Sequence, residues 1–183
     1  MSHRSVLDFI DVFADTFSFT SNDRIGNQAP FDFDVSVKDI YGALKAQATL
    51  VIIPRRLFSR PKELLDFLCE HKVTALIWPL PPSIWWPTPG AGKKAPSCLR
   101  TAILGGEALQ AKQLNRWRAA LPQVQYINLY GPTEVTVDCT WYPIQRDLPT
   151  TSASPSAPPA PTRRCSSWTR PCSQSPRPAW GDL

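Results

Sequence analysis

Asn128-Leu129-Tyr130-Gly131-Pro132-Thr133-Glu134 is the stretch whose reading decides the fold of this 183-residue chain. It follows Gln125-Tyr126-Ile127, which reads as the start of a short apolar strand running over 126–129. The strand enters a Gly-Pro turn that carries a hydroxyl and a carboxylate. Such a turn suits a nucleotide and metal site, because α/β sheets place their ligands beyond the carboxyl ends of their strands.

The residues upstream supply the rest of such a sheet. Val6, Phe9, Ile10 and Phe13 recur at helical spacing and predict an amphipathic helix over 5–15. Residues 23–29 have extended character before Pro30. Ser36 can cap a second helix with Val37, Ile40, Tyr41 and Leu44 on one face, the apolar stripe of an amphipathic helix. The β-branched run 49–53, closed by Pro54, predicts a buried strand. Ser59 can cap a third helix, with Pro61 tolerated in its first turn and Leu64, Leu65, Phe67 and Leu68 facing in. Residues 73–78 and 101–104 predict two further strands, and 110–121 a helix ended by Pro122. Strands alternating with helices at these spacings fit right-handed βαβ units and an α/β fold with a mainly parallel sheet and flanking helices. The Pro/Trp-rich segment 79–96 is non-periodic and reads as a loop.

Composition bounds the function. Lys+Arg total 20 against 15 Asp+Glu, a formal charge of +5. The segment after Leu148 contributes four arginines against Asp182, so +3 of that excess lies there and the body is nearly balanced. The basic total therefore gives no argument for nucleic-acid binding. Cys69, Cys98, Cys139, Cys165 and Cys172 show neither C-x-x-C spacing nor histidines at metal-ligand spacing. With no secretory signal ahead of them, they read as free thiols of a cytoplasmic protein. No apolar run approaches a membrane span in length. His3 and His71 are isolated and read as surface imidazoles.

Eight of the 20 prolines lie between Pro149 and Pro178, so 149–183 reads as a Pro/Ser/Arg-rich disordered tail behind a domain spanning 1–148. Its codons allow a second reading. Shifted by one base, Arg164 to Thr169 becomes four apolar residues followed by Asp, a buried-strand pattern. An out-of-frame translation and a natural linker both stand at this point; a weaker version of the same shift applies at Trp78 to Pro87.

Three motifs bear on chemistry. The first is Phe31-Asp32-Phe33-Asp34-Val35-Ser36, which places two carboxylates beside phenylalanines at a helix entrance. Burying them is costly unless they meet a cation or cap the helix. The second, Gly105-Gly106-Glu107, joins a strand to a helix, where glycines let a planar ring approach the backbone. The third is the seven-residue stretch quoted at the outset.

Together these resemble the amino-acid-activating adenylation domains of nonribosomal peptide synthetases and the related D-alanine-activating ligases, over roughly residues 2–148. The resemblance implies a fragment of the large N-terminal subdomain of an adenylate-forming enzyme. Such an enzyme activates an amino or related carboxylic acid with ATP and Mg²⁺, then passes it to the phosphopantetheine thiol of a carrier protein. It implies Asp34 as the ligand of the substrate's α-ammonium, and Gly105, Gly106, Glu107, Asn128, Tyr130 and Gly131 around the adenine. Thr133 would contact phosphate and Glu134 would hold Mg²⁺; these two are the candidate catalytic residues. Val35, Lys38, Ile103, Gly105, Leu129, Val137 and Asp138 would line the side-chain pocket, with Lys38 either selecting an acidic or polar side chain or extending to solvent. The family's Ser/Thr/Gly-rich phosphate loop, its ribose-binding Asp and the subdomain bearing its catalytic Lys have no counterpart in these residues. The expectation is therefore that the chain by itself makes no aminoacyl adenylate at a useful rate. The alternatives are a non-catalytic nucleotide-binding or interaction remnant, and an unstable pseudogene product.

Overall fold

The computed structural model describes residues 2–78, 96–106, 111–145 and 147, and the backbone of 166–167. Its elements are α1 (His3–Thr16), β1 (Arg24–Asn27), α2 (Ser36–Ala46), β2 (Thr49–Ile52), a 3₁₀ turn (Arg55–Ser59), α3 (Pro61–Glu70), β3 (Ala75–Trp78), β4 (Thr101–Leu104), α4 (Ala111–Ala120), β5 (Gln125–Tyr130), a second 3₁₀ turn (Thr133–Val135), β6 (Thr140–Pro143) and β7 (Ser166–Ser167). One sheet runs β2-β1-β3-β4-β5-β6-β7. The first five strands in that order are mutually parallel, and β6 and β7 are added antiparallel. The α/β class expected from the sequence is confirmed.

Helices cover both faces, and the pleat decides which residues meet which helix. Ala75, Ile77, Ile103, Ile127 and Leu129 point to the face covered by α1 and α2, where Phe9, Phe13, Phe17 and Phe19 form an aromatic core. Leu76, Trp78, Ala102, Leu104 and Tyr126 point to the other face and pack with Leu64, Leu68, Leu114 and Trp117 of α3 and α4. Ser2 caps α1, its hydroxyl accepting from the Ser5 amide at 3.1 Å.

The chain passes from β1 to β2 on one side and from β2 to β3 on the other, so strand order reverses around β1. At such a reversal α/β sheets place their ligands, beyond the carboxyl ends of the strands. The opposite end is tied down by a polar clamp. Asp23 accepts from Arg100 Nε and Nη2, both at 2.7 Å, and from the Thr74 hydroxyl at 2.7 Å. Burial pushes the Asp23 carboxyl up, but Arg100, Thr74 and the Thr20 amide together bring it down to about 2.

Several local expectations are corrected. In α2 the buried residues are Ser36, Lys38, Asp39, Gly42 and Ala43, while Tyr41 and Leu44 (67% exposed) face outward. Periodicity selected the apolar stripe; the inner face is partly polar because its polar groups find partners within the fold. Ser36 is the first helical residue and makes no cap; its hydroxyl donates to Phe31 O at 3.4 Å. Ser59 likewise closes a 3₁₀ turn rather than capping α3. The run at β2 reads as a buried strand but forms an edge, with Ile52 60% exposed. His71 is half-buried, stacked on Phe67 with ring centroids 3.9 Å apart.

Of the tail, the structure describes only Ser166–Ser167, which pair with Thr140 and Trp141. The readings of the remaining tail, of most of the 79–96 loop and of Glu107 lie outside the described residues. Among the described residues no helix is long and apolar enough to cross a membrane, no group of three or more candidate ligands gathers for a metal, and Cys69, Cys98 and Cys139 form no disulfide.

Candidate functional site

Two segments far apart in sequence meet at the carboxyl end of the sheet. One is the turn from β1 into α2, residues 28–39. The other is the loop from β5 into β6, residues 131–139. Asp34 and Lys38 stand one helical turn apart, because the chain already winds helically ahead of α2: Val37 N bonds to Asp34 O and Lys38 N to Val35 O. Both side chains reach the β5–β6 loop. Thr133 Oγ1 donates to Asp34 Oδ2 at 2.6 Å, in an exposed position. Lys38 Nζ donates to Asp138 Oδ2 at 2.6 Å, with side chains only 4% and 5% exposed. Lys38 therefore does not extend to solvent.

The electrostatics follow from this packing. Burial pushes the Asp138 carboxyl up; Lys38 pulls it back, and the negative charge of Asp34 pushes it further up. The charge of Asp34 is thus felt at Asp138. Asp39, the next residue on α2 after Lys38, is fully buried and accepts from Asn27 Nδ2 at 2.6 Å. Burial raises its carboxyl to about 7 against the pull of Asn27, Lys38 and the Gln28 and Ala29 amides. Asp39 and Asn27 were not singled out from the sequence. The available signal was an acidic residue in the first turn of a helix just after a strand ending in Asn.

The β5–β6 loop is held by its backbone as well as by its side chains. Cys139 N donates to Tyr130 O at 2.9 Å, returning the chain to pair as β6. A Cβ on Gly131 would strike Asp138 Cα and lie 2.6 Å from Cys139 N, so only glycine lets these strands close so tightly. Thr136 and Val137 both have positive φ, 70° and 71°, which β-branched residues rarely adopt. That bend turns Val137 inward against Ile103 and Leu129 while delivering Asp138 to Lys38.

The remaining candidates border the same end of the sheet. On β5, Leu129 faces the α1–α2 side, whereas Asn128 falls on the opposite side of the pleat, half-buried. Tyr130 ends the strand with its side chain 69% exposed. Gly105 is buried where β4 ends, its position for a Cβ only 3.1 Å from Leu129 O; Gly106 follows at φ 88°, a conformation that favours glycine. Val35 is buried, and Thr133 and Glu134 are exposed. An exposed tyrosine ring can stack on a planar base and a hydroxyl can donate to a phosphate oxygen, whereas an open carboxylate can meet phosphate only through a cation. A lone carboxylate fits Mg²⁺ carried in on phosphate oxygens, the usual way that ion is held.

A family model described as AMP-binding enzyme matches residues 1–165. The chain thus belongs to the family of AMP-binding, adenylate-forming enzymes. It is 35% identical over 147 residues to the L-proline--[L-prolyl-carrier protein] ligase of Pseudomonas fluorescens, covering 79% of this chain and 29% of that one. It is 29% identical to the D-alanine--D-alanyl carrier protein ligase of Bacillus cytotoxicus, covering 81% of this chain and 30% of the other. Among solved structures it resembles the Vibrio cholerae adenylation domain AlmE, which was crystallised with glycyl-adenosine-5'-phosphate. The TM-score is 0.64 at 26% identity, over 86% of this chain and 28% of AlmE. The chain spans under a third of the length of each of these relatives.

Proposed function

We propose that these residues form the amino-acid end and part of the nucleotide end of a site that activates an amino acid with ATP. The Asp34–Thr133 contact carries this reading. It brings the carboxylate suited to an ammonium within 2.6 Å of the hydroxyl suited to a phosphate, with Glu134 next in the chain. An aminoacyl adenylate has an ammonium and a phosphate only a few bonds apart, so one such molecule spans both groups. Asn128, Tyr130, Gly105, Gly106 and Glu107 take the adenine side; Val35, Lys38, Ile103, Leu129, Val137 and Asp138 take the side chain. Mg²⁺ on Glu134 would neutralise phosphate charge.

In the complete reaction a substrate carboxylate oxygen attacks the α-phosphorus, an O–P bond forms and pyrophosphate leaves. A phosphopantetheine thiol on a carrier protein then attacks the acyl carbon and releases AMP. The carrier-ligase relatives support that second step, which is proposed for the whole enzyme. Calorimetric titration of the 183-residue chain with AMP and with aminoacyl-sulfamoyl adenosines, stable mimics of the adenylate, tests the reading. The mimics should bind more tightly than AMP, and Asp34→Asn should remove the difference. Equal binding of mimics and AMP by the unmodified chain would refute it.

A further inference from the structure

From the charge balance around Lys38, we propose that the cognate amino acid carries a neutral hydrogen-bonding side chain, a carboxamide above all, and that Lys38 and Asp138 read it as a pair. The inference rests on the reading of Asp34 as the ammonium ligand. It goes beyond that reading by naming the substrate class.

Three observations carry it. First, Lys38 is an ammonium with three N–H donors, nearly sealed from water, and among the described residues its side chain has one hydrogen-bond acceptor, Asp138 Oδ2 at 2.6 Å. A buried ammonium needs more than one acceptor, since each unmet N–H retains its desolvation cost. A substrate atom that accepts a hydrogen bond supplies another. Secondly, Asp138 already matches the charge of Lys38, and Asp34 is reserved for the α-ammonium. With Asp39 uncharged, as it is up to about pH 7, the site with ligand is then electrically balanced only if the side chain is neutral. A side-chain carboxylate would enter beside Asp34 and Asp138 with no cation left to meet it, and a side-chain ammonium would enter beside Lys38. Either leaves an uncompensated charge in a nearly dry place. Thirdly, Val137, next to Asp138 in the chain, lies in one apolar cluster with Ile103 and Leu129, so the pair adjoins apolar side chains. A carboxamide can accept from Lys38 through its oxygen and donate to Asp138 through its nitrogen, which neither a hydrocarbon nor a carboxylate can do.

The test is a calorimetric panel on the unmodified 183-residue chain, using the sulfamoyl adenosines of L-glutamine, L-asparagine, L-glutamate, L-lysine and L-leucine, with AMP as reference. We expect a carboxamide compound to bind about tenfold or more tighter than the glutamate, lysine and leucine compounds, because sites built for hydrogen bonding discriminate strongly against analogues that cannot make the bonds. Tightest binding by glutamate, lysine or leucine would overturn the inference and leave the adenylate reading intact, as would equal affinities above that of AMP. If no aminoacyl compound exceeds AMP, the adenylate reading itself falls and takes the inference with it. The double variant Lys38→Met/Asp138→Leu, which leaves no buried charge unpaired, provides the second arm. It should bind the carboxamide compounds about tenfold or more weakly than the unmodified chain does, and no better than the leucine compound; a preference for carboxamide retained in that variant contradicts the role given to the pair.

Discussion

Thr133 and Asp34, 99 residues apart in sequence, share a 2.6 Å hydrogen bond at the carboxyl end of the sheet. In this state each satisfies the other. An ammonium can donate to the remaining lone pairs of the Asp34 carboxylate, whereas a phosphate oxygen must compete with Asp34 for the one hydrogen the Thr133 hydroxyl donates. Replacing Asp34 by Asn keeps the shape but removes the charge that an ammonium seeks. A hydrogen bond to a charged group contributes about 1.5–3 kcal/mol, so aminoacyl-sulfamoyl adenosines should bind the Asp34→Asn variant about 10- to 100-fold more weakly. AMP, which has no ammonium, should bind it as it binds the unmodified chain. Titration calorimetry reads both; a parallel loss of AMP binding would show that Asp34 acts on the loop rather than on the amine.

The Lys38–Asp138 pair gives a prediction on stability. Removing one member of a buried pair strands the other, at a cost of about 3–5 kcal/mol, whereas replacing both with apolar residues of similar size is often neutral. Lys38→Met should therefore shift the urea midpoint well down, and Lys38→Met/Asp138→Leu should restore most of it. Two single variants and the double variant form a cycle whose coupling energy measures the pair. Additive effects would mean that the two groups do not depend on each other.

How much of this could be read from the chain depends on how local each cause is. Strand β4 matched its expected bounds because Thr101–Leu104 is short, apolar and stopped by Gly105-Gly106. The inward face of α2 was misread because Lys38 and Asp39 are buried by partners 100 and 12 residues away, which periodicity cannot register. The position of β2 at the edge was equally hidden: a β-branched run reports extended backbone, while strand order is set by the other strands. Strand β6 was not predicted at all. Its Thr-Trp-Tyr-Pro sequence has no apolar alternation, and its place is fixed by the closure of the loop at Gly131. The signature stretch supplied Thr133 and Glu134 as candidates, and the separate motif Phe31 to Ser36 supplied Asp34. That Thr133 and Asp34 touch is a fact of the fold alone.

Two buried carboxylates should give opposite pH dependences. Asp39 keeps its proton in the folded chain up to about pH 7, while an unfolded Asp releases it near 3.8. Between these values the native state binds more protons, so this group's contribution to stability falls as pH rises, by up to about 4 kcal/mol in total. Asp23 is the reverse: its folded value of about 2 lies below 3.8, so its contribution is present above pH 4 and is lost as pH falls toward 2. Urea unfolding at a series of pH values should show Asp39→Asn flattening the decline between pH 4 and 7. Asp23→Asn should instead flatten the acid limb below pH 4. An Asp39→Asn profile parallel to that of the unmodified chain would mean that Asp39 is ionised when buried.

Gly131 offers the sharpest test of how the site loop is built. Two β-branched residues, Thr136 and Val137, hold positive φ just beyond it, a strain of order 1–3 kcal/mol each that the surrounding contacts must offset. One such contact is the approach of Gly131 to the Asp138–Cys139 backbone, where a methyl group has no room. Gly131→Ala must push that segment away, loosening the Cys139–Tyr130 backbone bond and drawing Asp138 from Lys38. The variant should lose about 1–3 kcal/mol of stability by the usual cost of overpacking, and bind AMP more weakly because Tyr130 and Thr133 flank the shifted residue. Gly42→Ala is the matched control. It lies inside α2, where a Cβ would rest 3.6 Å from the Phe13 ring in ordinary contact. There the added methyl should raise stability by about 0.5–1 kcal/mol, the gain usual for Ala over Gly within a helix. Opposite signs in the two melting curves would place the glycine requirement in the loop; a harmless Gly131→Ala would show that the loop tolerates a wider closure than its geometry implies.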